Sequence, residues 1–282
     1  MLHPVPRLVA TDLDGTLLRS DGTLSERTVR AVALAEAAGV RVVFVTGRPP
    51  RWMAAVSEHP AGHAIALCAN GAAVYDLASR RLLSAELLGA GPALEIAERL
   101  RRQVPEVSFA VECARGFGHE PGYPAPSYGE DGGTRVAPLP ELLGGAGDGG
   151  VLKLLAWLPG VPSQGLGARI QQLAGGRGEV TTSTSAPLAE ISAPGVSKAG
   201  ALARFAAGLG IARHEVAAFG DMPNDLPMLR WAGRSFAVAN AHPAVLAAAD
   251  ETVAANDEDG VAQRLELFAA QAAGARPLPV RS

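Results

Sequence analysis

Two aspartates stand two residues apart in the segment VATDLDGTLL, Asp12 and Asp14, directly after an apolar run. Carboxylates so placed repel one another, and neither is buried cheaply without a partner. Three further segments carry groups that suit them. VTGR sets Thr46, Gly47 and Arg48 behind a β-branched run, GVSK brings Lys198, and FGDMPNDLPML brings Asp221, Asn224 and Asp225. Pooled around one crevice, these residues offer four carboxylates, one lysine and one hydroxyl. Phosphoryl transfer uses such a set. A carboxylate can attack phosphorus and form an acyl phosphate, which splits hydrolysis into two easier steps. A hard divalent cation, Mg²⁺ above all, would offset the repulsion and bridge nucleophile to phosphate. The lysine and hydroxyl would neutralise and orient the other phosphate oxygens.

For these segments to meet, the elements before them must end on one side. Leu8 to Thr11 reads as a short buried strand, and Ser25 opens an Ala-rich helix that stops at Gly39. VRVVFV fits a parallel strand buried on both faces. AIALCANGAAVYD reads as two strands joined at the turn pair Asn70-Gly71. The last third alternates in the same way: a helix from Lys198 to Leu209, the strand EVAAFG, a helix from Pro223 to Trp231, a strand from Ser235 to Ala239 and a helix after Pro243. The alternation predicts an α/β fold, a doubly wound Rossmann-like parallel sheet. Ligands gather beyond the carboxyl ends of such strands, where all four segments fall.

The middle of the chain differs. It offers a helix at PALEIAERLRR, an alternating strand at EVSFAVEC, a loop-rich stretch over 115–150 that includes LLGGAGDGG, a strand at VLKLLAWL, a helix at QGLGARIQQLA and a strand at EVTTSTS. We read residues 85–189 as an α+β cap inserted between two parts of a core, 1–84 and 190–282. Between Ala85 and Ala189, eight Arg or Lys stand against eleven Asp or Glu, a formal charge of −3.

Composition narrows the classes. Hydrophobic residues form 48% of the 282 and charged residues 19%, enough for a packed core and against global disorder. A net charge of −3 gives no footprint for nucleic acid or an anionic membrane, so a phosphate must be caught by a few placed groups. Two cysteines without metal spacing fit a reducing cytoplasm, and no long apolar run or leader is visible.

DLDGTLL, VTGR, GVSK and FGDMPNDLPML together resemble the four motifs of the haloacid dehalogenase-like hydrolase superfamily. The large insert between the second and third resembles its Cof-like branch of sugar-phosphate phosphatases. The resemblance implies Asp12 as nucleophile and metal ligand, and Asp14 as general acid and base whose backbone carbonyl also meets Mg²⁺. It implies phosphate contacts from Thr46, Gly47 and Lys198, with Asn224 beside them, and a metal site completed by Asp221 and Asp225. Arg48, Asn70 and Gly71 match positions facing the substrate, a small phosphorylated metabolite. Lys-Ala in GVSKAGAL replaces the family's frequent Lys-Gly. Two other readings stay open: a phosphomutase, which would need a second anion site in the cap, and a non-catalytic binding protein on the same fold. His119 is expected on a surface loop, and Trp52 and Met53 at the core–cap junction.

Overall fold

The computed structural model describes residues 4–53, 56, 65–114, 116–124, 134–146, 149–161, 165–182 and 186–275. Its strands in chain order are β1 (Leu8–Thr11), β2 (Arg41–Val45), β3 (Ile65–Cys68), β4 (Ala73–Asp76), β5 (Arg81–Ala85), β6 (Leu88–Gly89), β7 (Ser108–Cys113) and β8 (Gly116–His119). These are followed by β9 (Arg135–Val136), β10 (Gly150–Val151), β11 (Lys153–Trp157), β12 (Glu179–Thr182), β13 (Leu188–Ser192), β14 (Val216–Gly220), β15 (Arg234–Val238) and β16 (Glu251–Val253). The described helices are α1 (Glu26–Ala37), α2 (Ala90–Gln103), α3 (Leu139–Gly144), α4 (Leu166–Ala174), α5 (Lys198–Gly208), α6 (Leu226–Trp231), α7 (Pro243–Leu246) and α8 (Gly260–Ala275).

One sheet of eight strands runs in the order β16-β15-β14-β1-β2-β3-β4-β5. From β16 to β3 every pairing is parallel, and β4 and β5 are added antiparallel at one edge. The two halves of the chain thus meet at β1, flanked by β2 on one side and β14 on the other. Every residue of β1 and β14 is buried, which explains their continuous apolar sequences: a strand covered by helices on both faces has no wet side. Phe219 and Phe236 stack across β14 and β15 with ring centroids 4.7 Å apart, and Phe268 of α8 meets Phe236 edge-on. The Ser25 hydroxyl accepts the Thr28 N–H at 3.0 Å and so starts α1 as expected.

A second sheet has the order β12-β13-β11-β7-β8-β9 and is antiparallel except between β8 and β9; β6 and β10 form a small ribbon beside it. Helices α2, α3 and α4 supply its own buried cluster, in which Ile96, Leu142 and Ile170 join Phe109 and Leu154. Among the described residues no helix is long and apolar enough to cross a membrane.

Several expectations need correction. The stretch over 115–150 is less loop-like than it reads, because it holds β8, β9, α3 and the start of β10. Its glycines hide the pattern: GFGH forms β8, where a Cβ on Gly118 would come within 2.7 Å of the Leu142 side chain and push it aside. His119 is buried on that strand, its Nδ1 2.8 Å from the Glu120 carbonyl, rather than exposed on a loop. The segment LAEIS, to which the sequence pattern assigns no element, forms β13. Arg115, and residues 183–185 of the expected EVTTSTS strand, lie outside the described residues. Both cysteines are free; burial pushes the Cys68 thiol up to about 12 and Cys113 to about 11, so both act as packing groups.

Candidate active site

The carboxyl ends of β14, β1 and β2 lie side by side, and each delivers its residues to one point. Asp12 follows β1, Thr46 follows β2 and Asp221 follows β14. Helix α5, capped by the Ser197 hydroxyl on the Gly200 N–H, points Lys198 into the same place from its first turn. The chain after Asp221 makes a 3₁₀ turn over Pro223–Asp225 that returns Asp225 beneath it.

Asp12, Asp221 and Asp225 are buried and offer carboxylate oxygens that all lie within 4.8 Å of one another. Lys198, only 2% exposed at its side chain, donates to Asp12 Oδ1 at 2.8 Å and to Asp225 Oδ1 at 2.6 Å. The other oxygen of Asp225 accepts the backbone N–H groups of Asp221 and Met222 at 3.1 Å, and Thr16 donates its hydroxyl to Asp221 Oδ1 at 2.8 Å. Burial raises the Asp12 carboxyl well above its ordinary value; Lys198 opposes the rise, and Asp225 and Asp221 add to it. Burial likewise raises Asp221. For Lys198 burial works against the charge, but Asp12 and Asp225 outweigh it and hold the ammonium above its usual range.

Three carboxylates against one ammonium leave the cluster with an excess of buried negative charge. Hard oxygen donors at this spacing, short of one or two positive charges, fit a divalent cation. Lys198 thus offsets part of the carboxylate repulsion from within the chain, and a bound cation would offset the rest.

Asp14 is not in that cluster. Its carboxylate is 56% exposed and is gripped by the Arg48 guanidinium, with Nε 2.8 Å from Oδ2. Between the two aspartates the loop turns at Gly15, with φ of +75°, and a Cβ there would come within 2.5 Å of Asp221 Oδ2. Only glycine lets the loop lie against the cluster. Thr46 is fully buried; its hydroxyl accepts the Arg48 N–H at 3.0 Å and its carbonyl accepts the Asn70 N–H at 2.9 Å. Asn224 is exposed on the 3₁₀ turn.

Asn70 and Gly71 do lie in the hairpin between β3 and β4, but in a four-residue loop, since Cys68 pairs with Ala73. Ala69, Asn70 and Gly71 all have positive φ. Asn70 reaches across to the second sheet, donating to Thr181 Oγ1 at 3.1 Å and to Glu190 Oε2 at 3.0 Å, while its buried Oδ1 has no partner among the described residues. Gly71, with φ of +99°, presses on the start of α5: a Cβ would meet the Ala201 Cβ at 2.6 Å and the Ser197 carbonyl at 2.7 Å. Gly71→Ala should therefore lower the unfolding free energy by about 1–3 kcal/mol, through backbone strain and overpacking together. Urea unfolding of both proteins checks this, and equal midpoints would mean that α5 has slack to retreat.

Residues that sequence reasoning did not place complete the crevice. Arg51 forks onto Glu112 of β7 at 2.8 and 2.9 Å, and Lys153 of β11 donates to the Gly47 carbonyl at 2.8 Å and to Glu190 of β13 at 2.7 Å. The signal was present, since Glu112 in SFAVEC and Lys153 in VLKLLAW are single charges inside apolar strands, and such charges are rarely buried without a purpose.

A family model described as haloacid dehalogenase-like hydrolase matches residues 9–127 and 152–265. The pyridoxal phosphate phosphatase YbhA of Escherichia coli is 30% identical over 272 residues, covering 91% of this chain and 96% of that protein. The 5-amino-6-(5-phospho-D-ribitylamino)uracil phosphatase YitU of Bacillus subtilis is 30% identical over 272 residues, covering 93% and 97%. Among solved structures, a haloacid dehalogenase-like hydrolase from B. subtilis superposes with a TM-score of 0.76 at 25% identity, covering 92% of this chain and 99% of that one. With the acidic cluster at the ends of β1 and β14 and a matched model over most of its length, the chain belongs to the haloacid dehalogenase-like hydrolases, in their Cof-like branch, and is a phosphoric monoester hydrolase.

Proposed function

We propose that the protein hydrolyses small, sugar-phosphate-like phosphomonoesters with the help of Mg²⁺, through an acyl phosphate formed on Asp12. The observation that carries this reading is the buried cluster of Asp12, Asp221 and Asp225 with Lys198 between two of them. Asp12 is the nucleophile: its carboxylate oxygen attacks phosphorus as the ester P–O bond breaks. Asp14, as a carboxylic acid, gives its proton to the departing oxygen. Water then attacks the phosphorus of the acyl phosphate, Asp14 takes the proton, and the bond to Asp12 breaks. Lys198 holds a transferring oxygen, as do the Thr46 hydroxyl and the backbone of Gly47, with Asn224 at the rim. Asp12, Asp221, Asp225 and the Asp14 carbonyl would hold the ion, which supplies charge neutralisation along the line of displacement.

The Arg48 fork has a place in this sequence. While it grips Asp14, that carboxylate is kept at the rim. An arriving phosphate competes for the same guanidinium and frees Asp14 to swing toward the departing oxygen. Asn70 and Gly71 shape the floor below, where the orphaned Asn70 Oδ1 awaits a donor.

The mutase reading needs cap cations free to hold a second phosphate. Among the described residues the cations lining the crevice are already matched, Arg51 by Glu112 and Lys153 by Glu190. That favours hydrolysis. We further propose a two-part core, 1–84 and 190–282, around an inserted cap, 85–189; the separate sheets support the division, with β5 ending at Ala85 and β13 continuing to Ser192, so that each junction moves to the end of its strand. We also propose a cytoplasmic enzyme whose partners are small metabolites rather than nucleic acid or membrane. The test is a phosphate-release screen over several dozen phosphomonoesters, each with Mg²⁺ and with EDTA. Release that needs Mg²⁺ is expected; silence across the whole panel would sink the reading.

A further inference from the structure

A cavity of about 390 Å³ opens between the two sheets, and Gly47, the residue after Thr46, is part of its lining. The chain is poor in aromatic residues, at 5%, with three tryptophans and three tyrosines in all. Trp52, Phe117, Tyr123 and Trp157 nevertheless all line this one cavity, two of the three tryptophans among them. The aliphatic part of the wall comes from Leu155 and Leu188. Concentration of scarce rings at the mouth of a phosphate site calls for a ligand that uses rings.

The charged groups of the cavity point the same way, because they are already spent on one another. Arg51 gives both arms of its fork to Glu112, and Lys153 divides its ammonium between Glu190 and the Gly47 carbonyl. A polyhydroxylated leaving group needs many free donors and acceptors around it, and meeting them here would mean breaking buried ion pairs. A flat ring needs few. The cavity already stacks one flat group: the Arg51 guanidinium lies 4.7 Å from the Trp52 ring centroid and 5.0 Å from that of Phe117. The volume falls at the small end of ligand pockets, enough for one ring with substituents or two fused rings.

We infer that the ester cleaved at Asp12 carries a planar aromatic or heteroaromatic leaving group, seated in this cavity with its phosphate-bearing arm passing Gly47. The inference rests on the phosphatase reading above and departs from it only in the leaving group, a ring in place of a sugar. Matched primary esters separate the two: an arylmethyl phosphate, its cyclohexylmethyl counterpart and a hexose 6-phosphate. The arylmethyl ester should show kcat/KM about tenfold or more above the other two, the scale of one good aromatic stacking partner. Tyr123→Leu and, separately, Trp157→Leu should shrink that ratio toward one, with folding verified by circular dichroism. Because the chemistry itself could fail, binding of a non-hydrolysable arylmethylphosphonate is measured beside that of a hexose phosphonate by calorimetry. Tighter binding of the aryl compound without any turnover would uphold the cavity's preference while removing the phosphatase reading. Equal or better handling of the hexose compounds in either assay, or ratios unmoved in both variants, would overturn the inference.

Discussion

Asp12→Asn should abolish phosphate release, by about 10⁴-fold or more, the scale on which an essential member of a catalytic set is lost, and yet leave the metal-free fold intact. The direction of the Asp12 shift decides the second half. Burial and the neighbouring carboxylates raise its pKa despite Lys198, so the folded state tolerates this charge less well than the unfolded one does. An amide of the same shape removes that cost, and Lys198 keeps Asp225 as a partner. In EDTA the variant should equal wild type or exceed it by about 1 kcal/mol, the scale of paired-carboxylate repulsion. The sign also fixes a pH dependence. A carboxyl raised in the folded state binds its proton more tightly there, so it favours folding increasingly as pH falls from above the folded pKa toward the ordinary 3.8. Metal-free wild type should therefore lose its disadvantage against Asp12→Asn on acidification through that window. Mg²⁺ at about 100 times its Kd should protect wild type by about 2.7 kcal/mol and the variant by less. Melting curves of both proteins, with and without Mg²⁺, read all of this; a variant clearly weaker in EDTA would make Asp12 a structural residue.

Lys198→Ala should act on activity and stability together. If Lys198 grips the transferring group as proposed, its loss should lower turnover by about 10²-fold or more. From the sequence alone a fold untouched by this change is expected, since a lysine opening a helix is ordinarily solvated. The structure says otherwise: Lys198 is buried between two buried aspartates, and its removal leaves three carboxylates with no cation. A drop of about 3–5 kcal/mol in the metal-free protein is expected, as for other buried pairs that lose one partner. Mg²⁺ should restore part of it, because the proposed ion would meet the same carboxylates. Stopped phosphate assays and urea unfolding, each with and without Mg²⁺, measure the two effects. Wild-type turnover in the variant would place the site elsewhere.

What could be read in advance follows a physical divide. The core strands are continuous apolar runs ending in chemical groups, so β1, β2 and β14 and the aspartates behind them stand out, as does Ser25 at the start of α1. The second sheet is less legible, because β8 is written GFGH and β13 follows Pro187; glycine and proline are the very signals that argue for loops. Ion pairs across the crevice are harder still. Arg51 and Glu112 lie 61 positions apart, and nothing in either neighbourhood names the other. Asp14 was legible as a residue but not as a conformation, since its grip by Arg48 depends on how two loops close.

The order of strands in the large sheet bears on how the protein comes into being. Its central strand β1 is the first made, yet the neighbour β14 lies past residue 215, and the bond from Lys198 to Asp12 spans 186 positions. During synthesis the ribosome therefore holds back half of the partners of β1 until most of the chain has emerged. All pairings of the second sheet, by contrast, close within residues 108–192 and can form while the tail is still being translated. A nascent chain can thus close its second sheet before its large one, and no chain that stops short of residue 225 can bring Asp12, Asp221 and Asp225 together.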